Sequence, residues 1–149
     1  MENTKKNPDA ALLQEIYKSV SMGTDASLTL LGKTDEGSLK RELSAQIESY
    51  QGFAKRARAG LAALSVEPKE AGMLEKLPAE MSMMFSTLTD TSAPKIAELM
   101  INGAVMGVTE YKKLIRNADE AGASIEHIRL AGDILSFHEE IINKMRIYL

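Results

Sequence analysis

The chain has 149 residues, a formal net charge of −3 and neither cysteine nor tryptophan. The absence of cysteine excludes disulfide scaffolds, thiolate metal sites, iron–sulfur clusters and cysteine nucleophiles. The mild acidity argues against binding to nucleic acid, and the hydrophobic content of 44% argues against disorder. We therefore expect a single globular domain over residues 1–149.

The sequence contains no pattern typical of an export signal or a membrane span. The first residues are polar and lack the apolar core that a signal peptide needs. The most apolar stretch, residues 96–108, is interrupted by Glu98 and Asn102 and is shorter than a membrane span. These features predict a soluble, cytoplasmic and bacterial protein with no membrane and no nucleic-acid partner.

Apolar residues recur three and four positions apart, which predicts an all-α protein. Asn7, Thr34 and Ser124 are the expected N-caps. Gly32 is expected to end the first helix in the left-handed conformation. In chain order, the predicted helices cover about residues 8–31, 35–64, 70–89, 92–118 and 124–148, the third being short, broken and rich in methionine.

The four long predicted helices have similar lengths, which favours a four-helix bundle. The links after the first and third long helices are short, so each of these helices is predicted to form an antiparallel hairpin with the next. The segment around residues 70–89 is long enough to cross the length of the bundle, which favours up-down-down-up directions. An up-down-up-down bundle, with the methionine-rich helix as a fifth element, is the alternative.

This plan resembles the ferritin-like superfamily over nearly the whole chain, and in particular its uncharacterised bacterial members without a di-iron ligand set. Di-iron members carry a Glu-x-x-His pair on two of the four helices. The two histidines of this chain, His127 and His138, are preceded at that spacing by Ser124 and Leu135. We therefore expect no iron chemistry and predict no metal site and no cofactor.

Patterns typical of catalytic sites are also missing from the sequence. It contains no Gly-x-Ser-x-Gly, no glycine-rich phosphate loop with lysine, and no His-Glu-x-x-His. We predict no catalytic residue and a non-enzymatic protein.

Four polar residues on or beside apolar helix faces are the candidate site residues. His138 lies near the centre of the apolar arc of the last helix. It is either a neutral core histidine with one hydrogen bond, or a ligand-binding or proton-handling group in a central cavity. Ser27 on the first helix and Gln46 on the second are candidate partners. Glu110 points inward on the helix at 92–118 and either reaches water at the bundle end or couples to His138 through water.

The helix predicted at 92–118 is apolar on two faces. Gly103 and Gly107 lie one turn apart on its core stripe, which indicates close approach of another helix. The opposite face also needs a cover, either from the methionine-rich segment or from a second subunit in a homodimer. The residues of this outer face are Ile101, Val105, Val108 and Ile115, and the methionines of the segment are Met81, Met83 and Met84.

These observations support two kinds of function. In the first, the bundle is a small homo-oligomer that acts through its surface as an interaction or accessory protein. In the second, it binds a metal ion or a small molecule at a polar core site around His138 and Glu110. A packed core would favour the first, and a central cavity containing His138 would favour the second.

Overall fold

The computed structural model describes residues 7–69 and 79–149, and all regular secondary structure in these ranges is helical. The all-α prediction is confirmed for this part of the chain. Residues 70–78 of the predicted methionine-rich helix lie outside the described residues. The elements are α1 (Pro8–Leu31), α2 (Gly37–Ala63), α3 (Ala79–Ser86), α4 (Ala93–Ala121) and α5 (Ile125–Met145), followed by a 3₁₀ turn (Arg146–Tyr148).

The start of α1 follows the expected capping chemistry. The side-chain oxygen of Asn7 accepts hydrogen bonds from the amides of Asp9 and Ala10, at 3.0 and 3.2 Å. Pro8 occupies the first turn, where the missing amide hydrogen costs no helical bond.

Two predicted helix ends are wrong. Gly32 ends α1 in a right-handed conformation, with φ −72°, because the chain continues turning and its amide still bonds to the Leu28 carbonyl. Thr34 does not cap α2. Its buried hydroxyl accepts from the amide of Glu36 at 3.2 Å, and Glu36 takes the N-cap position. The left-handed conformation occurs instead at Gly122, with φ 84°, between α4 and α5.

Contacts along the helices define their directions. Gly23 of α1 faces Tyr50 of α2, and Gly60 of α2 faces Leu13 near the start of α1, so these helices are antiparallel. The Ser19 hydroxyl bonds to Tyr111 of α4 at 2.9 Å. Asp9 at the start of α1 bonds to Ser124, which follows the end of α4, and Leu30 at the end of α1 shares a cluster with Leu99 near the start of α4. Helices α1 and α4 are therefore antiparallel as well.

Tyr50 of α2 bonds to His138 of α5, and Ser38 near the start of α2 bonds to Tyr148 just after α5. Gly107 of α4 lies against the same His138. Helix α5 is therefore antiparallel to both α2 and α4. The four long helices run up, down, down and up.

The core consists of two apolar clusters, one toward each end of the helices. Phe137 packs against both clusters, so its neighbour His138 lies at the level where they meet. Each fully buried Leu or Ile contributes about 1.5–3 kcal/mol relative to an exposed one. Members of the first cluster include Leu13, Ile16, Val20, Tyr111 and Ile134, and members of the second include Leu39, Leu43, Ile96 and Met145.

The outer face of α4 is partly covered within the chain. Ile101 packs against the second cluster and Ile115 against the first, while Val108 is half-buried and Val105 is 48% exposed. Within the described helices, none is long and apolar enough to cross a membrane.

The methionine-rich segment covers the bundle through other residues. Phe85 and Leu88 pack against the second cluster. Met83 and Met84 are exposed, so these two methionines are not the part of the segment that is buried against the bundle. The side chain of Met81 lies outside the described part of the structure.

Candidate functional site

A cleft of about 240 Å³ lies between α1 and α4, and we refer to it as the α1–α4 cleft. Small residues line both facing helices. A Cβ added to Gly103 would meet no atom within 4 Å, which shows that α4 leaves open space at this turn. The small lining residues are Gly23, Ala26 and Ser27 from α1, and Gly103, Ala104 and Gly107 from α4.

The floor of the cleft is built by residues of α2 and α5, namely Gln46, Tyr50 and His138. His138 is only 5% exposed and is surrounded by aromatic rings. Its ring centroid lies 6.0 Å from that of Tyr50 and 5.6 Å from that of Tyr111. The Tyr50 hydroxyl and His138 Nε2 form a hydrogen bond of 3.2 Å. This contact fixes one side of the imidazole.

Burial lowers the pKa of His138 from 6.5 to about 4, so the ring is neutral at neutral pH. A neutral imidazole carries one N–H. If Tyr50 donates to Nε2, the proton is on Nδ1, and Nδ1 is a donor. In the other tautomer Nδ1 is an acceptor. Nδ1 has no hydrogen-bond partner among the described residues in either case.

Gln46 is the second floor residue with an unpaired polar atom. It is 7% exposed, and its Nε2 has no hydrogen-bond partner within the described ranges. A buried polar group without a partner costs about 1–3 kcal/mol, and native proteins keep few of them. Here both residues that carry such a nitrogen, Gln46 and His138, belong to the lining of one cleft. The floor therefore contains two polar groups whose hydrogen-bonding capacity is not satisfied by the described residues.

Ser27, the third predicted buried residue, is 6% exposed and lines the same cleft. Two other hydroxyls of α1 have partners elsewhere. Ser19 bonds to Tyr111, and Thr24 bonds to the Val20 carbonyl of its own helix at 2.9 Å. The sequence did not identify Tyr50 as the partner of His138, because its ring fits the apolar stripe of α2 like any other core residue.

The mouth of the cleft carries charged side chains, defined here as Glu15, Lys18 and Glu110. All three are exposed. Partial burial of its carboxyl group raises the pKa of Glu110, the negative charge of Glu15 raises it further, and Lys18 partly offsets both. Glu110 and His138 line the same cleft, but no hydrogen bond between them is described.

A second polar cluster joins the starts of α1 and α5. The Asp9 carboxylate accepts from the amide and the hydroxyl of Ser124, both at 2.9 Å, and lies 2.7 Å from His127 Nδ1. Serine and aspartate share the same ring nitrogen, so the cluster lacks the relay of a catalytic triad, in which they bind opposite nitrogens. We call this cluster the latch: Asp9 of α1 bonds to Ser124, the N-cap residue of α5, and so joins the starts of the two helices.

Sequence reasoning did not find this latch, since Asp9 and His127 are more than 100 positions apart. The only local signal was the spacing of Ser124 and His127 at a helix start. No group of three or more His, Asp or Glu side chains in residues 7–69 and 79–149 is arranged to hold a metal ion.

No protein-family model, no curated protein and no solved structure matches the chain.

Proposed function

We propose that the protein is a helical bundle that binds a small molecule in the α1–α4 cleft. The observation that carries this proposal is the α1–α4 cleft, whose lining includes two buried residues with an unpaired nitrogen each, Gln46 and His138. Both nitrogens are shielded from bulk water, and a hydrogen bond in such surroundings is stronger than one in water. Of the two functions expected from the sequence, the geometry favours the binding function over the surface interaction.

The rest of the lining suits a compact and mostly apolar ligand. Beyond the floor, Leu30, Leu99 and Met100 supply apolar walls. Small-molecule sites commonly combine such walls with a few placed polar groups. A dry cavity of about 150 Å³ already accepts benzene, so a cleft of about 240 Å³ has room for a compact ligand.

Binding without catalysis fits the chemistry of the lining. The neutral His138 has a pKa of about 4 and is a weak base. The Ser19 hydroxyl bonds to Tyr111, whose own pKa is raised by burial, so nothing nearby activates the serine as a nucleophile. We assign no catalytic role to these residues.

The ferritin-like connectivity is part of the proposal. The up-down-down-up directions and the long link between α2 and α4 support it. The ligand set of the di-iron members is missing from the sequence, so the bundle would have a cleft in place of a metal centre.

Homodimer formation through the outer face of α4 is a second candidate with narrower support. Val105 and Met106 are each nearly half exposed, and Met83 on α3 is 66% exposed. Ile101 and Ile115, however, pack partly inside the chain, which leaves less apolar surface for a partner. Native mass spectrometry of untagged protein would give the oligomeric state and would also reveal a co-purified small molecule.

The cleft is tested directly by filling it. The Gly103→Leu variant places a side chain into the open space, and Gly52→Leu is the matched control, since Gly52 also has no neighbour within 4 Å but lies outside the lining. Hexan-1-ol is titrated into each protein, and amide chemical shifts are followed by NMR. We expect saturable shifts at Gly107 and His138 in the wild type and in Gly52→Leu, and their loss in Gly103→Leu. Saturable binding that persists in Gly103→Leu, or none in the wild type, would contradict the proposal.

A further inference from the structure

The α1–α4 cleft is chemically different at its two ends. Its lining extends along α1 from Glu15 to Leu30, about 22 Å at 1.5 Å per residue. The charged mouth residues Glu15, Lys18 and Glu110 are at one end. Apolar residues, Leu30 and Leu99 with Phe85 of α3, are at the other. The floor residues Gln46, Tyr50 and His138 lie between them and carry no charge at neutral pH.

The mouth has an excess of negative charge. Glu15 from α1 and Glu110 from α4 each carry a carboxylate, and Lys18 supplies the only opposite charge among the described lining residues. The negative charge of Glu15 helps to raise the pKa of Glu110, so the two carboxylates interact unfavourably. A second cation placed beside Glu110 would relieve this repulsion, whereas an anion would add to it.

We infer that the ligand is an amphiphilic organic cation, with an ammonium group at the mouth beside Glu110 and Glu15 and an uncharged, mostly apolar body that extends over the floor toward Leu30 and Phe85. This inference rests on the proposed binding function of the cleft. It uses the acidic pair together with the geometry of the cleft, whose lining also includes Gln46 and His138, each with a buried unpaired nitrogen. The charged end of the cleft selects the head group, and the apolar end accepts the tail.

Three probes with one tail and different head groups test the inference: hexan-1-amine, hexan-1-ol and hexanoate. Dissociation constants are measured by NMR titration at neutral pH and low ionic strength. We expect the ammonium to bind about three- to fivefold more tightly than the alcohol, because it adds a full positive charge to a hydrogen bond that the alcohol also donates to a carboxylate, and because the mouth is exposed to water. Hexanoate is expected to bind most weakly. The preference for the ammonium should shrink at high salt, since exposed charges are screened.

Variants separate the role of the head group from that of the cleft. Glu110→Gln should weaken hexan-1-amine about threefold or more and leave hexan-1-ol unchanged. Glu120→Gln is the matched control, with the same charge change on α4 at an exposed position outside the lining. It should leave all three affinities unchanged. Gly103→Leu should abolish binding of every probe.

The outcomes distinguish this inference from the proposed function. Equal affinity for the ammonium and the alcohol, or no effect of Glu110→Gln, would overturn the inference and leave the binding function intact. Tightest binding of hexanoate would also overturn it, and would point to Lys18 as the selecting charge. If none of the three probes binds, the proposed function itself fails.

Discussion

Gly107 and His138 are in direct contact: a Cβ on Gly107 would lie 2.7 Å from the Nδ1 and Cε1 atoms of the imidazole. Real Cβ atoms do not approach other atoms so closely, so α4 can lie this near α5 only with glycine at this position. The imidazole cannot readily move away, since Tyr50 holds its Nε2. The floor of the α1–α4 cleft therefore depends on a glycine of one helix and a histidine of another.

This contact predicts that alanine substitutions at two neighbouring glycines, Gly107 and Gly103, have different effects on stability. Gly107→Ala should lower the free energy of unfolding by about 1–3 kcal/mol, since the added methyl group overpacks the site. Gly103→Ala should leave it unchanged or raise it by up to about 1 kcal/mol, because alanine favours the helix and the space is open. Urea unfolding of both variants measures the difference. Equal effects would show that the close contact does not limit the packing of α4.

The low pKa of His138 predicts a pH-dependent stability. The folded-state pKa of about 4 lies below the ordinary value of 6.5, so the unfolded chain binds the extra proton first as the pH falls. Stability from this group is complete above pH 6.5 and decreases by about 3 kcal/mol on reaching pH 4. The facing groups Tyr50 and Tyr111 do not titrate in this window, because burial raises their pKa values.

The measurement is urea unfolding between pH 4 and 7.5, for the wild type and for His138→Gln. We expect the variant to lose most of the decrease. Glu110 works in the opposite direction, since its raised pKa favours the folded state at lower pH, so Glu110→Gln should steepen the decrease. An unchanged slope in His138→Gln would mean that other groups cause the pH dependence.

The hydrogen bond between Tyr50 and His138 predicts that replacing Tyr50 with phenylalanine destabilises the protein more than replacing Tyr148 does. Tyr50→Phe would leave both imidazole nitrogens without a described partner, so it should destabilise the protein by about 1–3 kcal/mol. Tyr148→Phe, which removes a part-buried bond to Ser38, is the control and should cost about 1 kcal/mol or less. Thermal unfolding gives the costs, and the ¹⁵N shifts of His138 report its tautomer. A cost for Tyr50→Phe no greater than for Tyr148→Phe would argue against the buried bond.

The latch at the start of α5 predicts that Asp9 stabilises the fold. Asp9→Asn should lower the free energy of unfolding by about 1–2 kcal/mol, because the carboxylate holds Ser124 and His127 together. Asp133→Asn is the control, since its ion pair with Arg56 is about half exposed and should contribute less than about 1 kcal/mol. Equal losses from the two variants would reduce the latch to a surface contact.

The latch also has a pH signature. Burial alone would raise the pKa of Asp9, but hydrogen bonds from His127 and Ser124 outweigh it and hold the pKa below 3.8. The contribution is therefore present above pH 3.8 and is lost as the pH falls further. Asp9→Asn should remove this acid-side loss while leaving the decrease between pH 6.5 and 4 that we assign to His138.

Local sequence signals determined the helices and part of the candidate site. Apolar spacing located α1 to its observed ends, and the Asn7 cap followed from its side chain and the proline after it. The burial of Ser27, Gln46 and His138 agrees with their positions on or beside apolar stripes. These features depend on residues within one or two helical turns, which a sequence displays directly.

Other features depend on how the helices are aligned with one another. Gly103 and Gly107 lie on one stripe, yet one faces open space and the other an imidazole, because their fit depends on the atoms of α5 opposite. The Tyr50 partner of His138 and the pairing of Asp9 with His127 also join distant parts of the chain. Periodicity specifies the face that a helix buries but not the height at which another helix meets it. For that reason the tertiary structure alone decided the cleft, its unpaired nitrogens and its acidic mouth.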